Sequence, residues 1–296
     1  MRALEYDQRY TMPRPLPVTL LISLMLPALT AGAASMACKP ARVDVGGYKL
    51  WMQVAGVGEP TVVFESGGGD DSSVWATIEP EIRRDDVRTV IYDRAGLGQS
   101  DLRSGPYSID HEAKGLERAL DRCDVRGPIV LVAHSYGGFV SALVAAEDRR
   151  VVGVVFVDAN LADYFDEAEV ARILAQYTPQ FAALERAKPK LAAVMIPMMQ
   201  AYPETAKRLR EVVFPPDLPV IDIVAEHSWS NTAEEAAAMR RVHAAFVAAS
   251  PAREAVFASG SSHYVMRDRP GLVIDAIKRM IERTRSKVIP PMPAGE

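Results

Sequence analysis

The segment around Ser135 constrains the fold of this chain more than any other feature. An apolar strand pattern, I-V-L-V-A at 129–133, runs into H-S-Y-G-G, and the helical pattern F-V-S-A-L-V-A-A-E follows at once. A strand that turns directly into a helix must reverse sharply, so the backbone of Ser135 is strained and its hydroxyl is exposed. Only small residues fit two positions to either side, and Ala133 and Gly137 stand there. The pattern therefore predicts a reactive serine on a strand-to-helix turn.

Strand patterns and helical patterns alternate along most of the chain. Two runs at 42–45 and 49–54, which flank Gly46-Gly47, predict a hairpin. Six short runs rich in Val and Ile predict strands at 61–65, 87–92, 129–133, 152–157, 220–225 and 254–257. Helical periodicity occupies the intervals 111–123, 138–147, 232–248 and 272–285. Several strand runs are apolar on both faces, as expected for parallel strands that helices cover on both sides. The sequence therefore predicts an α/β fold, with a mostly parallel, doubly wound, eight-stranded sheet in one domain over 38–296.

Segment 161–216 interrupts this alternation. It holds six prolines and helical patterns at 167–177 and 204–213, but no convincing strand. At more than 50 residues it is too long for an ordinary connection between two elements, and long insertions commonly form lids or binding elements. We therefore expect a helical lid over one end of the sheet.

The first 37 residues have the pattern of a cleavable export signal. Arginines precede an apolar run at 18–29, and the small-residue stretch A-G-A-A-S-M-A ends at Ala37. This run is shorter than the roughly 20 residues that a spanning helix needs. We therefore expect a signal peptide over 1–37, cleavage near 34–38, export to the periplasm or beyond, and no stable membrane span after cleavage. An uncleaved membrane anchor, a start at Met12 and a lipid on Cys38 are the alternatives.

Charge and cysteine content bear on partners and sites. The formal net charge is −4 and acidic and basic residues are interspersed, so no basic surface for nucleic acid is indicated. The two cysteines, Cys38 and Cys123, have a spacing that suggests neither a metal site nor a disulfide framework. Cys123 falls in a helical pattern and is predicted to be a small buried residue.

Together with the serine segment, three further blocks resemble the α/β-hydrolase superfamily over residues 42–286. F-E-S-G-G-G-D-D-S-S-V-W at 64–75 resembles the oxyanion loop, with Glu65 and Ser66 departing from its usual histidine. Y-D-R-A-G-L-G-Q-S-D at 92–101 resembles the turn after strand 4, and S-S-H-Y-V-M-R-D-R-P resembles the late block with the histidine. All four blocks occur in the family's order. The resemblance implies a serine hydrolase with Ser135 as its nucleophile.

A serine nucleophile needs a general base, and His263 is the best candidate among five histidines. It follows the last strand, and the loops at the carboxyl ends of parallel strands surround the strand-to-helix turn. It also fits the superfamily's order of serine, acid and histidine. His134 adjoins the serine, so its side chain is expected to point elsewhere, in a packing or hydrogen-bonding role. His243 lies on a polar amphipathic helix and is predicted to be on the surface.

Three carboxylates are candidates for the acid that orients the histidine and stabilises its cation. In the common family pattern the acid follows strand 7, but Ser228 stands at that position. A minority of the superfamily has the acid after strand 6, where Asp158 lies 23 residues after Ser135. Asp158 is therefore favoured over Glu226, and over Asp222, which sits inside a strand and is expected to point away.

The resemblance also implies an oxyanion hole and a reaction. The backbone N–H groups of Gly68 and Tyr136 would hold the tetrahedral intermediate, and three successive glycines allow the loop to approach the substrate closely. The expected reaction is hydrolysis of a small-molecule carboxylic ester through an acyl-enzyme on Ser135, with no metal and no organic cofactor. A lactonase, an amidase or aminopeptidase, and an acyltransferase would use the same residues. A non-catalytic ligand-binding protein is the alternative of another class.

Overall fold

A computed structural model describes residues 38–84 and 86–288. Its strands are β1 Ala41–Asp44, β2 Lys49–Ala55, β3 Thr61–Glu65, β4 Arg88–Tyr92, β5 Ile129–His134, β6 Val151–Val157, β7 Val220–His227 and β8 Arg253–Ser262. They form one sheet in the order β1-β2-β4-β3-β5-β6-β7-β8. β2 pairs antiparallel with β1 and β4, and all other neighbours are parallel. The predicted eight-stranded, mostly parallel sheet is confirmed.

Helices cover both faces of the sheet. They are α1 Glu79–Arg83, α2 Ile109–Arg122, α3 Gly137–Glu147, α4 Glu167–Tyr177, α5 Phe181–Ala187, α6 Pro189–Gln200, α7 Tyr202–Arg210, α8 Ala233–Ala248, α9 Val265–Asp268 and α10 Pro270–Val288. Successive residues of a strand point to opposite faces. On β5, Leu131 therefore shares a buried cluster with Leu116 of α2 and Val140 of α3, whereas Val130 shares one with Ile277 of α10.

Helices α4 to α7 lie between β6 and β7, within segment 161–216. Pro189 begins α6 and Pro203 lies in the first turn of α7, positions where a missing N–H costs no intrahelical hydrogen bond. Met198, Met199 and Leu209 of this segment are buried in the same apolar cluster as α2 and α3. Their burial holds the helical segment against the sheet domain.

The parallel strands bring their carboxyl ends to one edge of the sheet. Glu65 ends β3, Asp93 follows β4 and His134 ends β5, while Asp158 follows β6 and His263 follows β8. Ligand sites of open α/β sheets form at this edge, because the loops there face one another. The topology therefore gathers the chain's polar candidates in one place.

A disulfide joins Cys38 to Cys123, so the expectation that the two cysteines form no disulfide is wrong. Cys38 lies just before β1, where its carbonyl accepts a hydrogen bond from Val54 at 2.9 Å. Cys123 is buried, as predicted, and ends α2. The packing of α2 beside β1 and β2 brings the two Cα atoms within 5.3 Å across a sequence separation of 85 residues. Spacing along the chain carries no information about such a contact.

Reduction of this disulfide is expected to lower the free energy of unfolding by about 2–5 kcal/mol, because the crosslink restricts the unfolded chain over a long loop. Urea denaturation of the wild type with and without a thiol reductant measures the difference. The double variant Cys38→Ser/Cys123→Ser serves as the control, since reductant cannot change its stability through this bond. Two free thiols in the denatured, non-reduced wild type would contradict the assignment.

The predicted signal peptide over 1–37 lies outside the described residues. Among residues 38–84 and 86–288, no helix is both long and apolar enough to cross a membrane.

Candidate active site

Ser135 has the strained backbone that the sequence pattern predicts. Its φ is +51°, in the left-handed region that residues other than glycine rarely adopt. A glycine is required two residues later, at Gly137, because a Cβ atom there would come within 2.7 Å of the Ser66 carbonyl oxygen. β5 ends at His134 and α3 begins at Gly137, so Ser135 occupies the turn between them. The chain thus presents a serine hydroxyl at the carboxyl edge of the sheet.

Asp158 and His263 are in direct contact. The Oδ2 atom of Asp158 lies 2.6 Å from Nδ1 of His263, and Asp158 also has a left-handed backbone, with φ +46°. Its carboxylate accepts two more hydrogen bonds, from the Ala225 amide at 3.0 Å and from the Ser228 hydroxyl at 2.6 Å. Burial alone would raise the pKa of Asp158, but these hydrogen bonds and the charge of His263 lower it. The acid is therefore ionised at neutral pH and can orient the imidazole.

Ser228 supports this carboxylate, a role that the sequence did not predict. It occupies the position where the common family pattern has the acid itself, and its hydroxyl donates to Asp158. The residue after strand 7 thus still serves the histidine, through the carboxylate from strand 6. A serine in place of the usual acid was the signal for this role, since a short hydroxyl there can donate to the neighbouring strand end.

Glu226 and Asp222 are placed away from His263. The Oε2 atom of Glu226 accepts hydrogen bonds from the Gly260 amide at 2.6 Å and the Ser259 hydroxyl at 3.1 Å. Asp222 is fully buried and lies 2.8 Å from Nδ1 of His243. The prediction of a surface position for His243 is therefore wrong. A carboxylate inside an apolar strand needs a polar partner, and α8 supplies it.

Gly68 and Tyr136 line the same cavity as Ser135. A Cβ atom on Gly68 would lie 3.6 Å from Cβ of Tyr136, so the two backbones are close together. Within the described part of the chain, neither amide N–H has a hydrogen-bond acceptor. Two free N–H groups beside a serine can stabilise an oxyanion, as the resemblance implies.

His134 supports the loop that carries His263. Its ring is 1% exposed, and Nε2 lies 3.0 Å from the carbonyl oxygen of His263. A carbonyl only accepts, so Nε2 carries the proton. The centroids of the His134 and His263 rings are also 4.5 Å apart. Burial, followed by repulsion from His263, lowers the pKa of His134 to about 3, so this imidazole stays neutral.

The buried, neutral His134 predicts a pH-dependent stability. Between pH 6.5 and about 3 the unfolded chain binds a proton at this residue and the native chain does not, so acid lowers the free energy of unfolding. From pH 7 to 5 we expect the wild type to lose about 2 kcal/mol more than His134→Gln, by urea denaturation at both pH values. His227→Gln, at a side chain 73% exposed, is the control and should follow the wild type. Equal losses in wild type and His134→Gln would contradict this reading.

The serine opens into a cavity of about 680 Å³. The side of the cavity formed by segment 161–216 is largely apolar, with contributions from Phe181, Leu184, Leu191, Met195, Met198 and Met199. The polar lining includes Asp70 and Lys188 in addition to the serine and histidine. Burial raises the pKa of Asp70. No cluster of three or more His, Cys, Asp or Glu side chains suited to a metal ion occurs in 38–84 or 86–288.

Comparisons with known proteins identify the family of this chain. A family model described as "Alpha/beta hydrolase family" matches residues 62–276. The protein YqjL of Bacillus subtilis (strain 168) is 28% identical over 231 residues, which are 73% of this chain and 81% of YqjL.

Two solved structures share the fold. The enol-lactonase from Burkholderia xenovorans LB400 is 17% identical with a TM-score of 0.57, over 82% of this chain and all of that one. A thermophilic esterase from Thermogutta terrifontis is 20% identical with a TM-score of 0.56, over 82% of this chain and 97% of its own. At such identities the likeness concerns the fold alone.

Proposed function

Because this chain belongs to the alpha/beta hydrolase family, we propose that it is a serine hydrolase that cleaves carboxylic esters through an acyl-enzyme on Ser135. The observation that carries the proposal is the 2.6 Å contact between Asp158 and His263, at a cavity that Ser135 also lines. Family membership supports hydrolase activity in general. The ester bond is the narrower proposal, supported by a site that holds a nucleophile, a base and an acid.

The first half of the reaction forms the acyl-enzyme. Asp158 holds Nδ1–H of His263, so Nε2 is the free base and accepts the proton of the Ser135 hydroxyl. The Ser135 oxygen then bonds to the carbonyl carbon, and the carbonyl oxygen becomes an oxyanion facing the Gly68 and Tyr136 amides. When this intermediate collapses, the bond to the alcohol oxygen breaks and His263 returns its proton to the leaving alcohol.

The second half uses water in the same way. His263 accepts a proton from water, and the resulting hydroxide adds to the acyl carbon. The new oxyanion collapses, the bond to Ser135 breaks, and His263 returns the proton to the serine oxygen. A carboxylic acid leaves and the enzyme is restored, so the cycle needs no group beyond these residues and water.

The apolar lid favours substrates with an apolar acyl or alcohol group. Each CH₂ group buried against such side chains contributes about 0.8 kcal/mol, or about fourfold in kcat/KM. A series of p-nitrophenyl esters of increasing chain length should therefore show rising kcat/KM until the cavity is filled. Lactones and aminoacyl amides tested alongside distinguish an esterase from a lactonase or an amidase. No turnover across the whole panel would overturn the ester proposal.

Trapping of the intermediate tests the mechanism directly. A slowly released acyl group should add its mass to the peptide that contains Ser135, as seen by mass spectrometry after acid quenching. A fluorophosphonate probe should label the same peptide. Labelling at another residue, or none, would favour the non-catalytic ligand-binding alternative.

We also propose that the protein is exported. The leader pattern of residues 1–37 supports export, and so does the disulfide between Cys38 and Cys123, because disulfides persist in oxidising compartments. The disulfide bears on lipidation too. A lipid thioether on Cys38 would occupy the sulfur that this disulfide uses, so one molecule cannot carry both.

Export predicts a defined N-terminus. In an exporting host, the mature protein should begin between residues 34 and 38, since the small-residue stretch of the leader ends at Ala37. N-terminal sequencing of active protein from the periplasm or medium gives the answer. Active protein that begins at Met1 or Met12 would contradict cleavage.

A further inference from the structure

A buried ion pair lies directly behind the oxyanion loop. Glu65 ends β3 and Arg94 follows β4, the strand beside it, so the parallel pairing brings both to the carboxyl edge of the sheet. Nη1 of Arg94 lies 2.6 Å from Oε1 of Glu65, and their side chains are 5% and 0% exposed. The Tyr92 hydroxyl also donates to this carboxylate. Burying two charges is costly, so the pair is expected to have a use beyond stability.

Arg94 binds the backbone of the loop that carries Gly68. Nη1 donates to the carbonyl oxygen of Ser66 at 2.6 Å, and Nη2 donates to those of Gly67 and Gly68, the latter at 3.0 Å. Among the residues that the structure describes, Arg94 is the one side chain bonded to these three carbonyls. A planar guanidinium with several donors suits this arrangement, which the single ammonium of a lysine cannot reproduce.

The contact with Gly67 fixes the direction of the Gly68 N–H. The carbonyl of Gly67 and the N–H of Gly68 belong to one planar trans peptide, in which the two groups point in opposite directions. With the oxygen held by Arg94, the N–H points away from Arg94. Gly68 lines the cavity and Arg94 does not, so the guanidinium lies behind the loop.

The loop has one other hydrogen bond on the Gly67 carbonyl, a longer one from the Asp70 amide at 3.3 Å. Its three glycines, 67–69, lack side chains and have a large conformational freedom when unbound. A Cβ atom on Gly68 would meet Cε of Met198 at 3.1 Å, and one on Gly69 would meet Sδ of Met195 at 3.3 Å. Methionine contacts are adaptable and fix no peptide plane.

We propose that Arg94, held in place by Glu65, is a positioning residue that sets the oxyanion hole by fixing the peptide between Gly67 and Gly68. This inference rests on the proposed serine-hydrolase function. Arg94 does not touch the reacting atoms; it acts through the backbone of the loop. An oxyanion exists only after the serine has attacked the carbonyl carbon. Loss of the fixed orientation of this peptide should therefore lower kcat and leave KM nearly unchanged.

Arg94→Lys tests the role while it keeps the charge opposite Glu65. We expect kcat on a p-nitrophenyl ester to fall about 100-fold, as for loss of one oxyanion donor, with KM within about threefold of wild type. The affinity for an alkyl boronic acid, which forms a tetrahedral adduct on a reactive serine, should fall about 10- to 100-fold. Glu65→Gln keeps the guanidinium and should show a smaller fall of kcat in the same direction, which covers the case in which Arg94→Lys folds poorly.

The matched control is Arg150→Lys. Arg150 also binds a carboxylate and a carbonyl, those of Asp148 and Val125, and it does not line the cavity. The variant Arg150→Lys should keep the wild-type kcat and the wild-type affinity for the boronic acid. We expect this even if its melting temperature falls by as much as that of Arg94→Lys.

Hydrogen exchange separates the failure of this proposal from the failure of the proposed function. Amide exchange in a peptide covering 66–70, measured by mass spectrometry, should be faster in Arg94→Lys than in Arg150→Lys whether or not esters are substrates. An unchanged exchange rate would overturn the positioning role. So would active wild type together with an Arg94→Lys variant of normal kcat and boronic acid affinity. Inactive wild type with faster exchange in Arg94→Lys would instead overturn the proposed function and leave the loop contact standing.

Discussion

Ser135→Ala is expected to lower kcat by at least about 10⁴-fold without unfolding the protein. The substitution removes only the hydroxyl oxygen, and the turn between β5 and α3 remains fixed by Gly137 against Ser66. Initial rates on a reactive p-nitrophenyl ester, with a melting curve for each variant, measure both effects. Near-wild-type turnover would remove Ser135 from the mechanism.

Ser141→Ala is the matched control for this experiment. Ser141 lies on α3, six residues beyond the nucleophile, and its buried hydroxyl has no hydrogen-bond partner in the described structure. Its loss should leave turnover and fluorophosphonate labelling unchanged. If Ser141→Ala were as inactive as Ser135→Ala, the loss would reflect damage to α3 and not the missing nucleophile.

Local pattern was sufficient for the sheet and for the strained serine. The strands from β3 to β8 could be predicted because each contains a short apolar run, and β1 and β2 because they flank Gly46-Gly47. The turn could be predicted because Ala133, Ser135 and Gly137 satisfy a steric rule within a few residues. The strand runs and the serine turn depend only on residues that are close together in the sequence. The topology that follows from them then places the strand ends at one edge.

Pairings between distant segments could not be predicted in the same way. Cys38 and Cys123 meet because α2 packs beside β1 and β2, and Asp222 meets His243 because α8 covers β7. An aspartate inside the apolar strand V-I-D-I-V was a signal that some buried partner exists, but not of which one. Arg94 stands in a recognisable block, yet its contacts depend on the adjacency of β3 and β4.

Asp158→Asn and Glu226→Gln are expected to differ greatly, although each removes one carboxylate near the end of a strand. In Asp158→Asn an amide replaces the charge 2.6 Å from Nδ1 of His263. An amide N–H facing Nδ1 would favour the tautomer with its proton on Nε2, which cannot accept the serine proton, and the imidazolium would lose its counter-charge. We expect kcat to fall about 10³- to 10⁴-fold near neutral pH.

Glu226→Gln should change kcat by less than about threefold, because its partners, the Gly260 amide and the Ser259 hydroxyl, lie in β8 and not on His263. The fall of kcat in Ser228→Ala should lie between those of the other two variants, because Ser228→Ala removes one hydrogen bond to the Asp158 carboxylate. A hydrogen bond to a charged acceptor contributes about 1.5–3 kcal/mol. Steady-state rates of the three variants on one ester rank the residues. A crippled Glu226→Gln beside a nearly normal Asp158→Asn would move the acid from strand 6 to strand 7. If all three variants kept the wild-type kcat, no carboxylate would be needed to orient His263, and the Asp158 contact would have no catalytic role.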